Sequence, residues 1–138
     1  MNTARDRLLS LHSALLHLHK ALLDSERAAY EVVHGRIPSP GAFLQLVIND
    51  KWFAWLQAMS GLIVQIDMVS DVKGGVVTAD ANRILQQARE LLTPDENGEG
   101  FAKRYYEALE RSPEISAQHA AALELFRGDI DGEQRQPA

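Results

Sequence analysis

The chain has 138 residues, 46% hydrophobic and 24% charged, which is the balance of a soluble globular domain rather than of a disordered or fibrous chain. Fourteen Lys and Arg against nineteen Asp and Glu leave a net charge of −5, so the broad positive field that holds a phosphate backbone is missing and nucleic acid is not an expected partner. The absence of cysteine excludes disulfides, thiol nucleophiles and thiolate metal sites, and the abundance of Leu and Ala over alternating β-branched residues excludes an all-β fold.

The first segment, roughly Thr3 to His34, spaces its polar residues Asp6, Ser10, Ser13, His17, Lys20, Asp24, Arg27, Glu31 and His34 by three and four, which predicts one helix with a solvated stripe. Leu8 to Leu23 is not read as a signal sequence: His12, His17, His19 and Lys20 interrupt it, and no small-residue cleavage site follows. Gly35 is the expected stop, and Ile37-Pro38-Ser39-Pro40 forces an extended turn with Ser39 as N-cap and Pro40 at the first helical position. The second helix carries Leu44, Ile48, Trp52, Trp55, Met59, Leu62, Ile66 and Val69 as a seam, with a bend expected at Asn49-Asp50. Its longest charge-free run, Trp52 to Ile66, falls short of the ~20 apolar residues of a membrane span, so no membrane is expected as partner.

Thr78 is the expected cap of a third helix that buries Ala81, Ile84, Leu85, Ala88, Leu91 and Leu92 and closes near Pro94. A polar loop, Asp95 to Gly100, leads to a fourth helix presenting Phe101, Tyr105, Ala108 and Leu109. Ser112-Pro113 then starts a kinked continuation that turns Ile115, His119, Ala122, Leu123 and Phe126 inward and stops at Gly128. The expectation is all-α: an antiparallel bundle of four main helices, the last split near Pro113, forming one domain over residues 1–128 with 129–138 as a frayed polar tail.

Heptad spacing on the first helix places a row of Arg5, His12, His19 and Glu26 between two leucine rows, Leu8/Leu15/Leu22 and Leu9/Leu16/Leu23. Imidazole and carboxylate groups inside an apolar arc need hydrogen bonds, ion pairs or a ligand to offset desolvation. His12, His19 and Glu26 are therefore candidate ligand-binding residues, joined by His119 from the last helix and by Trp52 and Trp55. Trp52 and Trp55, three apart, are expected to share a face, while Phe53 points about 100° away, so the cluster requires more than one partner surface. Ala14, Ala21 and Ala28, and likewise Ala54, Ala58 and Gly61, are expected to permit close helix approach.

Geometry weighs against several chemistries. Residues seven apart on a helix lie ~10.5 Å apart along its axis, so His12 and His19 alone cannot meet one zinc ion at ~2.1 Å. The diiron pattern needs two Glu-x-x-His pairs, and only Glu31-Val32-Val33-His34 is present. Ser13, His17 and Asp24 resemble a hydrolytic triad only in kind, because His17 and Asp24 are again seven apart and no glycine-rich elbow supplies oxyanion donors. No metal or cofactor is assigned. The expectation is a non-catalytic cytoplasmic module that self-associates as a homodimer; the alternative is a bundle that binds a small apolar or aromatic molecule, haem or a metal inside.

Overall fold

A computed structural model describes residues 3–135, with side chains described for 3–126. Among the described residues the protein is all-α and contains no strand. The helices are α1 (Ala4–His34), α2 (Pro40–Asn49), α3 (Gln57–Ser70), α4 (Thr78–Leu91), α5 (Phe101–Arg111) and α6 (Pro113–Arg135), with a 3₁₀ turn at Ala54–Leu56.

The helix boundaries follow local chemistry. Thr3 Oγ1 accepts from the Asp6 amide at 3.0 Å and Asp6 Oδ2 from the Thr3 amide at 3.3 Å, a reciprocal cap that satisfies two donors at the start of α1. Gly35 ends α1 at φ 88°, a left-handed conformation open to glycine without strain. Ser39 Oγ accepts from the Ala42 amide and Pro40 opens α2; Ser112 Oγ accepts from the Ile115 amide and Pro113 opens α6. Thr78, by contrast, is the first residue of α4, behind Val77, and its side chain makes no cap. The helix expected to stop at Gly128 continues to Arg135; what was expected of 136–138 lies outside the described residues.

The core is built on one stripe of α1. Leu8, Leu11, Leu15, Leu18 and Leu22 are fully buried, each worth ~1.5–3 kcal/mol relative to exposure. Around them pack Phe53, Leu56, Met59 and Ile66, then Ile84, Ala88 and Leu92, then Tyr105, Ile115, Ala122 and Phe126. α1 packs against α3, α4 and α6, and α3 also against α4. The second leucine row behaves differently from the first, for Leu9 and Leu16 are 43% and 47% exposed. In the alanine row, Ala21 is buried, Ala14 half-buried and Ala28 exposed, so close approach is confined to the middle of α1. Leu123 is also 40% exposed rather than turned inward.

The largest departure is in the second helix. α2 and the segment Ala54–Ser70 are bent by 75° at the expected break, so the apolar seam cannot continue through it. Leu44 and Ile48 are each 55% exposed and α2 buries no residue fully. No single helix among the described residues is long and apolar enough to cross a membrane.

Candidate functional site

The polar row of α1 is drawn against its neighbours, but each member finds a different partner. His12 Nε2 lies 2.7 Å from Asp67 Oδ1, and His19 Nε2 shares a 2.7 Å hydrogen bond with Ser60 Oγ, which in turn lies 3.3 Å from the Leu56 carbonyl. Arg5 Nε donates to the Ser70 carbonyl at 3.2 Å. As numbers rise along α1 they fall along α3, so these three contacts set two antiparallel helices in register. Glu26 turns to α5: Arg111 Nη2 donates to its Oε1 at 3.1 Å while Arg111 Nε donates to Ser25 Oγ at 3.0 Å. Glu26 is only 5% exposed, so the guanidinium supplies the charge that its carboxylate lost with its water.

His119 pairs elsewhere again. The fully buried Tyr105 hydroxyl and His119 Nδ1 are 2.6 Å apart. Burial pushes the Tyr105 phenol well above its ordinary range, so it stays protonated and shares a hydrogen bond with the imidazole nitrogen. Burial also lowers both His119 and His19, favouring neutral rings that can accept or donate within the helix contacts. Four polar groups expected near one another are thus four separate helix-to-helix ties. Among the described residues no three His, Asp or Glu come together in a way that could hold a metal ion.

The two tryptophans also part company. Trp52 lies in the turn that follows Asp50, ahead of the 3₁₀ segment that holds Trp55, so the two do not share a helical face. Trp52 meets Tyr30 and His34 edge-on at 5.5 and 5.8 Å. Trp55 lies 5.3 Å from Phe101, which continues to Tyr105 and so to His119. Phe53 takes the buried place between them, packed on Tyr30 and Phe43. Both indole Nε1 atoms are buried without a hydrogen-bond partner, and neither is accessible to a ligand from solvent. The end of the predicted solvated stripe is put to structural use as well. Glu31 Oε2 accepts from the Ile37 amide at 2.8 Å, closing the reversal into α2, and the Arg27 guanidinium lies 4.9 Å over the Phe43 ring.

What the structure opens to solvent is a groove of about 670 Å³ between α3 and α4, floored by Ala58, Gly61 and Leu62 and edged by Gln57, Gln65, Gln87 and Glu90. Ala58 and Gly61 are exposed, and a Cβ built on Gly61 would meet nothing within 4 Å. Ala58 and Gly61, expected to permit close helix contact, instead line a hollow that no described element fills. A smaller recess of about 420 Å³ lies over Trp55, Gly100, Lys103, Arg104 and Glu107. The spacing of Ala54, Ala58 and Gly61 pointed to close helix contact rather than a cavity, so the groove was not legible in the sequence. Ser60, Asp67 and Arg111, the partners of the polar row, carried no signal in the sequence, because helix register is set by packing. Compared with protein-family models, with curated proteins and with solved structures, the chain matches none.

Proposed function

We propose that this is a non-catalytic, self-associating helical module of the cytoplasm, working as a homodimer whose surfaces engage protein rather than chemistry. In this reading α1, α2 with α3, α4, and α5 with α6 are the four legs of an antiparallel bundle, and the breaks at Asp50 and Ser112 divide two of the legs. The observation that carries it is the apolar surface left uncovered on the second leg: Leu44 and Ile48 on α2, and Val64, Met68 and Val72 along α3, are all more than half exposed. Apolar side chains clustered at that exposure mark an interaction surface more often than an ordinary monomer surface. The interior supports the same reading, since the residues suited to holding a ligand, His12, His19, Glu26 and His119, are engaged with protein partners. Light scattering coupled to gel filtration tests it: the mass should approach twice 15.3 kDa as concentration rises. A mass of one chain from micromolar to millimolar concentration refutes it.

A further inference from the structure

On the face of α3 turned away from the core, Ala58, Gly61, Gln65 and Met68 follow one another at spacings of three, four and three. This is a heptad seam of the kind that packs against another helix, carried by a helix whose opposite side already supplies Met59, Leu62, Ile63 and Ile66 to the core. It holds no charged residue, and among the described residues no element covers it. The seam is graded in size. Its first half is small (Ala58, Gly61) and its second half long (Gln65, Met68), with Met68 69% exposed.

We infer that this seam is the self-association surface, and that two copies pair α3 against α3 antiparallel about a two-fold axis level with Ile63. This rests on the self-association proposed above and specifies where it occurs. Antiparallel pairing about that level sets Ala58 opposite Met68 and Gly61 opposite Gln65, so each layer within α3 joins a small residue to a large one; parallel pairing would set large against large and leave the small half empty. Met68 of one copy then enters the hollow above Ala58 and Gly61 of the other.

Charge agrees with the same axis. Arg83, Gln87 and Glu90 follow one another along α4 at spacings of four and three, and Gln87 and Glu90 edge the groove. Arg83 and Glu90 are both exposed and lie about 10.5 Å apart along the helix, Glu90 toward the Ala58 end. The two-fold reverses that order in the partner, so Arg83 of one copy is brought level with Glu90 of the other, an opposite-charge rim on both sides of the axis.

The chain has no cysteine, so introduced thiols report directly. Ala58 and Met68 lie about 15 Å apart along α3, whereas a disulfide needs Cα atoms within about 7 Å. Mixed Ala58→Cys and Met68→Cys chains should oxidise to a covalent dimer containing one of each, while neither variant alone should cross-link efficiently. Met68→Asp, with its helicity checked by circular dichroism, should weaken dimerisation at least tenfold. A wild-type dimer with no mixed disulfide, or with affinity unchanged by Met68→Asp, overturns this surface and leaves self-association standing through another. A wild-type chain that is monomeric throughout overturns both.

Discussion

Removing the partner of the buried carboxylate tests the tie between α1 and α5 most sharply. In Arg111→Met, Glu26 keeps its 5% exposure but loses the guanidinium at 3.1 Å. Stranding a buried charge costs about 3–5 kcal/mol when both partners are deeply buried. Arg111 is 43% exposed, so water is near enough to reduce that figure, and about 2 kcal/mol is the expected loss at pH 7. With a urea slope of roughly 1–2 kcal/mol per molar for a chain of this size, the midpoint should fall by about 1–2 M at fixed protein concentration. The double variant Glu26→Met/Arg111→Met buries no charge and should recover most of the loss, so the two changes are strongly non-additive. If Arg111→Met moves the midpoint by less than 0.3 M, or the double variant is no more stable than the single, Glu26 is solvated in solution and the account of the polar row fails.

Three further outcomes are expected. Burial lowers the folded-state pKa of His19 and His119 below the usual 6.5, so near and below pH 6.5 the unfolded chain binds more protons than the folded one; stability is full above that pH and declines as pH falls through it. Melting temperatures from pH 8 to 5 should show this decline, and His19→Asn/His119→Asn should flatten it. Phe53→Ala should cost about 3–5 kcal/mol, because the ring is fully buried against Tyr30 and Phe43, whereas Leu44→Ala on exposed α2 should change monomer stability by under about 0.5 kcal/mol in denaturant titrations. Gly35→Ala, forcing a side chain onto φ 88°, should destabilise by roughly 1 kcal/mol, while Gly61→Ala in an open helical position should stabilise the unassociated chain by up to about 1 kcal/mol.

The parts of this fold that were legible in the sequence are those decided within a few residues of chain. Gly35, Ser39-Pro40 and Ser112-Pro113 act where they stand, and the helix limits they predict are observed. The core leucines of α1 were legible for a related reason, since periodicity fixes which residues share a face. Which faces meet is another matter. Leu9 and Leu16 match Leu8 and Leu15 in spacing and differ only in that no helix arrives to cover them. Trp52 and Trp55 were misplaced because Asp50, whose carboxylate accepts from the Trp52 amide at 2.8 Å, begins a turn that winds through 3₁₀ geometry before α3 is established. For the candidate site, the interior position of His19 and Glu26 was legible, but their partners were not: Ser60 and Arg111 lie 41 and 85 residues away, and nothing local signals such pairings.

The isolation of α2 has a consequence for motion. Ten residues are too few for a helix to persist alone in water, where about 12–15 are needed even for favourable sequences. The segment is held by Phe43, Leu46 and Val47 against the core, by Arg27 over the Phe43 ring and by the Ser39 cap, with Ile37 buried just ahead of it. Releasing Phe43 therefore does not swing α2 outward as a rigid arm but melts it, leaving a tether between Ile37 and Phe53 while α1 and α3 stay closed. Hydrogen exchange should register this as one small cooperative unit, opening far more often than the bundle it is attached to.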